Sequence, residues 1–171
     1  MKRKSNIVLI GMPACGKSVT GVVLAKSLNK KFIDTDLLIQ EKAGKGLQRI
    51  INEDGVEAFK RLEEEVLLTV DPINAVIATG GSAVYYDNAM DHLKEDGTVI
   101  YIDVPLKDIK KRLYNIKTRG VAMGKGQTID DLYAMRKPLY EKYADITVST
   151  GNGNSMEKTV EAIISALEEK R

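Results

Sequence analysis

A glycine-rich stretch near the beginning of the chain carries the residue types that bind phosphate. Gly11, Gly16, Lys17 and Ser18 match the pattern G-x-x-x-x-G-K-[ST] without a gap. Glycines let backbone N–H groups turn toward bound phosphates, and the helix that follows adds its positive N-terminal end. Lys17 can neutralise the β- and γ-phosphates of a nucleotide, and Ser18 can ligate Mg²⁺. The stretch predicts a phosphate-binding loop whose contacts come from one run of residues: Gly11, Met12, Pro13, Ala14, Cys15, Gly16, Lys17, Ser18 and Val19.

Cys15 inside this loop has two interpretations. As a small side chain it fills space within the loop, which is the interpretation we favour. As a reactive thiolate beside Lys17 and a helix N-terminus, it would make nucleotide binding sensitive to oxidation or alkylation.

A pair of acidic residues, Asp34 and Asp36, follows the second apolar run in "FIDTD". On a strand, residues i and i+2 share one face, so both carboxylates are predicted to point the same way. One carboxylate can hold Mg²⁺ through water, and the other can accept the proton of an attacking hydroxyl. The alternative is structural, with Asp36 as the N-cap of the helix that begins "LLIQ".

Short apolar runs alternate with longer amphipathic ones along the whole chain, which predicts an α/β fold with a parallel sheet covered on both faces. In such sheets the ligand site lies at the carboxyl ends of the strands. The segments "GMPACGKS", "DTD" and "TGGS" each directly follow an apolar strand, so we expect them to line one edge of the sheet. The helix in "TIDDLYAMRKPLYEKYA" is predicted to be interrupted or shifted near Pro138.

The composition limits the class of protein. The length of 171 residues predicts a single domain that spans residues 1–171. The net charge of +2 is too small to attract the chain to nucleic acid or to a membrane surface. A single cysteine allows no internal disulfide, and a single histidine excludes a His-rich metal site. No stretch approaches the ~18 apolar residues of a membrane span. We expect a cytoplasmic monomer with no nucleic-acid or membrane partner.

Taken together, these motifs resemble those of the shikimate kinases. The points of resemblance run in order along essentially the whole chain: "GMPACGKS", "FIDTD", "DGVEAFKRLEEEVL", "ATGGSAV", the arginine in "TRG", and "MRKPLYEKYAD". The resemblance implies a P-loop, nucleoside-monophosphate-kinase-like fold with a five-stranded parallel sheet. It also implies a helical acceptor-binding segment at about 36–64 and a mobile lid at about 112–126, where several glycines suit a segment that closes over substrate.

The resemblance further implies ATP and Mg²⁺ as partners in the transfer of a phosphoryl group to shikimate, giving shikimate 3-phosphate and ADP. Ser18 and Asp34 would serve the metal, and Arg112 would lie near the adenine. Lys17, Asp36 and Arg119 would form the catalytic set, with Arg119 as a lid arginine that reaches the transferring phosphoryl. The small anionic acceptor would contact Asp36, Lys60, Gly80, Gly81, Ser82 and Arg136, with Gly80 and Gly81 offering backbone N–H groups and Arg136 holding a carboxylate.

Three places depart from the family pattern on the acceptor side or in the lid, and the nucleotide side is intact apart from Ala14 and Cys15. Lys60 stands where the family has an arginine, Ser82 where it has a third glycine, and the lid reads "RGVAM" instead of arginine-proline-leucine. Lysine is a point charge and cannot bind a carboxylate with the fork of an arginine. Two alternatives therefore stay open: a kinase of another small hydroxy acid or hydroxy amino acid such as homoserine, and a nucleotide-binding regulator without turnover.

Overall fold

The computed structural model describes residues 4–114, 121, 123–151 and 154–171. Five strands form one sheet in the order β2-β3-β1-β4-β5, and every neighbouring pair is parallel. The strands are β1 (Asn6–Ile10), β2 (Lys31–Asp34), β3 (Ala75–Ala78), β4 (Gly97–Asp103) and β5 (Ile146–Ser149). The predicted five-stranded parallel α/β fold is confirmed.

Eight α-helices connect and cover these strands within the described residues. They are α1 (Lys17–Ser27), α2 (Thr35–Ala43), α3 (Leu47–Asp54), α4 (Val56–Thr69), α5 (Asp87–Glu95), α6 (Leu106–Tyr114), α7 (Ile129–Tyr143) and α8 (Met156–Glu169), with a short 3₁₀ turn at Ala83–Tyr85. No helix in this part of the chain is both long and apolar enough to cross a membrane.

The central strand β1 explains where the glycine-rich loop lies. All five residues of β1 are buried, and so are all four of β3, as expected for parallel strands covered on both faces. β1 pairs with β3 on one side and β4 on the other. The loop that leaves its carboxyl end therefore begins in the middle of the sheet edge.

The junction between β2 and α2 differs from the prediction for the two acidic residues. β2 ends at Asp34, whose side chain caps α2 by accepting hydrogen bonds from the backbone nitrogens of Asp36 at 2.9 Å and Leu37 at 3.4 Å. Asp36 lies in the first helical turn, so the predicted shared strand face is wrong. The alternative that made Asp36 the N-cap is also wrong, because Asp34 provides the cap.

Helix α7 runs through Pro138 without interruption, which corrects the break predicted there. A capping box between Thr128 and Asp131 begins the helix. Pro138 removes one backbone donor. Buried side chains on both sides of it, Arg136 before and Tyr140 after, pack the two halves into the molecule and keep one helix axis.

Candidate active site

The three segments predicted to share a sheet edge lie around one cavity at the carboxyl ends of β1, β2 and β3. Side chains from α3, α4 and α7 complete its wall. The cavity is lined by Pro13, Ala14, Gly16, Lys17, Ser18, Asp36, Leu47, Phe59, Glu63, Thr79, Gly80, Gly81, Ser82, Val121 and Arg136. Residues predicted to hold phosphate and residues predicted to hold the acceptor thus face the same space.

The loop between β1 and α1 turns sharply through positive φ angles. Gly11 has φ 151°, Ala14 62° and Gly16 94°. A Cβ atom at Gly11 would lie 2.8 Å from both Cys15 Sγ and the Ile102 carbonyl oxygen, so this backbone must be glycine. Gly16 caps α1 and has no side chain to bond the first helical N–H groups. These donors and the helix dipole are therefore available to an anion.

Lys17 places its ammonium group within this loop. Nζ donates to the carbonyl oxygens of Gly11 at 2.7 Å and Met12 at 2.8 Å, and lies 3.5 Å from Cys15 Sγ. The side chain is buried, with 8% of its residue surface exposed. Cys15 is also buried and packs beneath Gly11. That contact supports the interpretation of Cys15 as a small residue filling the loop.

Ser18 and Asp34 bring a hydroxyl and a carboxylate together beside the loop. Ser18 Oγ donates to Asp34 Oδ2 at 2.7 Å. Within the described residues no group of three or more His, Cys, Asp or Glu side chains could hold a metal ion. Mg²⁺ at nucleotide sites commonly uses one or two protein oxygens together with substrate phosphates. The donor chemistry of Ser18 and Asp34 fits that requirement.

Gly80 brings two carboxylates against the backbone that follows β3. A Cβ atom at this position would lie 2.6 Å from Glu63 Oε2 and 2.8 Å from Asp36 Oδ1. Asp36 comes from the first turn of α2, and Glu63 from the middle of α4. Glycine at this position therefore lets both carboxylates approach the same stretch of main chain.

Gly81 connects the phosphate-binding loop with Arg136. A Cβ atom here would lie 2.8 Å from Pro13 Cδ and 2.9 Å from Arg136 Nη1. Its carbonyl oxygen accepts a hydrogen bond from the Tyr140 hydroxyl at 2.6 Å. The Arg136 side chain is held in turn by Tyr85: Nε donates to the Tyr85 hydroxyl at 3.3 Å, and the guanidinium carbon lies 5.4 Å from the ring centroid. A buried cation, 1% exposed, is thereby fixed beside the cavity.

Glu63 is a cavity residue that sequence reasoning missed. It is 1% exposed, and its Oε1 accepts a very short hydrogen bond from the Ser82 hydroxyl. Oε2 has no hydrogen-bond partner in the part of the chain that the structure describes. Burial raises the pKa of Glu63 to about 7; the nearby charge of Asp36 raises it too, whereas the Ser82 hydrogen bond lowers it.

A signal for Glu63 was present in the helical periodicity. The buried residues of α4 are Phe59, Glu63, Val66 and Leu67, which recur at the spacing of one helix face. An acid at that position lies among apolar residues, where it needs a functional or structural partner.

Several other predicted residues lie away from the described cavity lining or outside the described structure, among them Val19, which is exposed on α1. Lys60 Nζ pairs with Glu57 Oε1 at 3.6 Å on the surface of α4. Arg112 Nη1 donates to the Ala14 carbonyl oxygen at 3.1 Å, so it contacts the phosphate-binding loop. Arg119 lies outside the described residues, as do residues 115–120 and 122 of the predicted lid, although Val121 contributes to the cavity lining.

A glycine-rich loop with a lysine at the end of a central parallel strand, next to a buried carboxylate and a buried arginine, defines a P-loop kinase acting on a small molecule. The sequence model described as shikimate kinase matches residues 13–168. The chain belongs to the shikimate kinase family.

Individual relatives agree with this assignment. The shikimate kinase of Clostridium botulinum is 37% identical over 158 residues, which cover 92% of this chain and 93% of that protein. The shikimate kinase of Haemophilus influenzae is 34% identical over 159 residues, or 91% of this chain and 88% of the relative. The structure of shikimate kinase from Acinetobacter baumannii in complex with shikimate superimposes with a TM-score of 0.88 at 29% identity. The superposition covers 98% of this chain and 94% of that one.

Proposed function

We propose that this protein transfers the γ-phosphoryl group of ATP to a ring hydroxyl of shikimate, giving shikimate 3-phosphate and ADP. The observation that carries the proposal is the single cavity shared by Lys17 and Ser18 on one side and Asp36 and Arg136 on the other. The family of the chain and the shikimate-bound structure of a relative support the same acceptor.

On the nucleotide side, the loop binds the phosphates through its backbone N–H groups and the N-terminus of α1. Lys17 exchanges its hydrogen bonds with the Gly11 and Met12 carbonyls for the β- and γ-phosphates, which places a positive charge where negative charge moves during transfer. Arg112 steadies the loop through its hydrogen bond to the Ala14 carbonyl oxygen, and it is proposed to lie near the adenine. Arg119 is proposed to neutralise the transferring phosphoryl from the lid.

On the acceptor side, Arg136 binds the substrate carboxylate, because a planar guanidinium can donate two parallel hydrogen bonds to it. Asp36 accepts the proton of the attacking hydroxyl and directs that oxygen toward the γ-phosphorus. Gly80 and Gly81 belong to the cavity wall, and their backbone N–H groups are proposed to bind a hydroxyl or carboxylate oxygen of the acceptor. Ser82 closes this wall of the cavity.

Ser18 and Asp34 are the residues that would hold Mg²⁺ together with the nucleotide phosphates. When bound, the ion supplies charge neutralisation of the β- and γ-phosphates. Asp34 also caps α2, so the same side chain that would serve the metal fixes the position of Asp36 two residues later.

An ADP-release assay on the purified protein tests this function. ATP and Mg²⁺ are supplied with shikimate, homoserine or gluconate in parallel, and the phosphorylated product is identified by ³¹P NMR. We expect ADP release above background hydrolysis with shikimate, at a kcat/KM at least tenfold above that for either other acceptor. Equal or faster turnover of homoserine or gluconate, or no turnover of any acceptor, would contradict the proposal.

A further inference from the structure

Ser82 makes a hydrogen bond that its position in the backbone does not require. It directly precedes the 3₁₀ turn Ala83–Tyr85, where a serine commonly caps the following N–H groups. Its hydroxyl makes no such cap. It crosses instead to α4 and donates to Glu63 Oε1, and both residues are buried. The Ser82 hydroxyl therefore acts on Glu63 rather than on its own turn.

Lys60, which lies on the same helix as Glu63, does not form an ion pair with it. Lys60 lies three residues before Glu63, a distance at which side chains on a helix meet. Its ammonium pairs with Glu57 instead, at 3.6 Å. The charged and titratable groups that face Glu63 come from other elements: Asp36 from α2, Tyr86 after the 3₁₀ turn, and Arg136 from α7.

We propose that Ser82 is a positioning residue of the acceptor site, which holds the Glu63 carboxylate against Gly80 and so sets the place of the acceptor beside Asp36. The inference rests on the proposed function, since it concerns the same cavity. The family pattern has glycine at this position. A glycine has no side chain and could not hold the Glu63 carboxylate in this way.

The geometry shows why the orientation of Glu63 matters to the acceptor. Oε1 is held by Ser82, and Oε2 lies where a Cβ atom at Gly80 would approach within 2.6 Å. Asp36 Oδ1 lies against the same backbone. If the Ser82 bond is removed, Oε1 loses its donor, while Tyr86 and Arg136 still face the carboxylate. The carboxylate can then turn relative to Asp36, and the space for the reacting hydroxyl changes with it. Within the described residues, the hydrogen bond between Ser82 and Glu63 does not involve the phosphate-binding loop, so the KM for ATP should change little.

Steady-state kinetics of Ser82→Ala separate this role from general damage. We expect the KM for shikimate to rise about tenfold, the size of a lost hydrogen bond to a charged group. The KM for ATP and kcat should each stay within about twofold, because the phosphate contacts are unchanged. Ser27→Ala is the matched control: its hydroxyl donates to the Val23 carbonyl oxygen on the exposed end of α1, and its removal should leave both KM values as they are.

A double-mutant cycle then tests whether Ser82 acts through Glu63. In a Glu63→Gln background, Ser82→Ala should raise the KM for shikimate far less than it does in the wild-type protein, because the group it positions has been changed. An equal rise in both backgrounds would overturn the inference, since Ser82 would then act on the substrate directly or through the backbone.

A measurement that needs no turnover distinguishes failure of the inference from failure of the proposed function. ¹³C NMR titration of the side-chain carboxyls, with Glu63 assigned from the Glu63→Gln spectrum, follows this group in the free protein. Ser82→Ala should raise the pKa of Glu63, because the hydrogen bond that favours its charged form is gone. An unchanged pKa in a folded variant overturns the inference. Absence of shikimate turnover by the wild-type protein would contradict only the proposed function.

Discussion

The phosphate side and the acceptor side of the cavity are built in different ways. The side proposed to bind phosphate comes from one run of chain, the loop between β1 and α1, shaped by backbone angles and by a lysine that bonds its own loop. The side proposed to bind the acceptor brings together residues from four separate segments, at positions 36, 63, 80–82 and 136. The first is specified locally, whereas the second exists only when the whole fold has formed.

This difference explains where the chain departs from its family. Main-chain N–H groups bind any phosphate and require a fixed loop, so the residues of the loop are constrained together. Side-chain contacts to an acceptor can be exchanged one at a time if a neighbour compensates. Lys60 and Ser82 are such exchanges, and both lie within one helical turn of Glu63 or in direct contact with it.

The largest effect is expected from Asp36→Asn. Loss of the proton acceptor should lower kcat by about 10²–10⁴-fold. ATP affinity, measured by titration calorimetry, should change little, because Asp36 belongs to the side of the cavity that is proposed to bind the acceptor. A parallel loss of ATP affinity would show that the two sides are not separable at this residue.

Lys17→Ala should damage both nucleotide binding and turnover, with kcat falling by about 10²–10³-fold as one charged donor to the transferring group is lost. Shikimate binding to the free enzyme, followed by calorimetry, should persist. Thermal unfolding serves as the control, since Lys17 also ties the loop through the Gly11 and Met12 carbonyls. Unchanged ATP affinity in the folded variant would contradict the role assigned to this residue.

Arg136→Lys probes the acceptor side without removing its charge. A lysine cannot reproduce the two-pronged contact of a guanidinium, so the KM for shikimate should rise about 10–100-fold while the KM for ATP changes much less. Kinetics with each substrate varied in turn provide the measurement. A rise confined to the KM for ATP would place Arg136 on the wrong side of the cavity.

The pH dependence of folding distinguishes Glu63 from ordinary surface acids. Burial raises its pKa from 4.5 to about 7, so in that interval the unfolded chain has lost a proton that the folded protein keeps. The free energy of unfolding should therefore fall as pH rises, by at most about 1.4 kcal/mol per pH unit. Glu63→Gln should remove this contribution in urea titrations between about pH 5 and 7. Equal slopes in the wild-type protein and in Glu63→Gln would contradict this account.

Lys60→Arg should have the smallest effect. Lys60 pairs with Glu57 outside the cavity lining. We therefore expect the KM for shikimate to change by less than about threefold, which corresponds to the small free energy of an exposed ion pair. A tenfold improvement would mean that an arginine at this position reaches the acceptor, and that the lysine limits the acceptor side.

The parts of this structure that sequence could predict are those encoded over short distances. The phosphate-binding loop follows from one motif, and the sheet follows from apolar runs between helices. Asp36 was expected to share a strand face with Asp34, but β2 ends at Asp34, which caps α2, and Asp36 lies in the first helical turn. The helical periodicity of α4 marks Glu63 as a buried acid, but its bond to Ser82 could not be predicted. The two residues are 19 positions apart and meet only through the packing of α4 near the 3₁₀ turn that follows β3.

Pro138 shows the same limit in a helix. Local preference predicts a break, yet tertiary packing of Arg136 and Tyr140 holds one continuous helix. This packing also positions a residue of the candidate site, because Arg136 lies on the turn before the proline and lines the cavity.

Gly81 lies close to both Pro13 and Arg136, so the phosphate-binding loop and the proposed acceptor site are in direct contact through this residue. We expect a shift of the guanidinium as it engages a carboxylate to be felt at Pro13 of the phosphate-binding loop. Occupancy of one substrate site should therefore alter affinity at the other, and by the same factor in either order of addition.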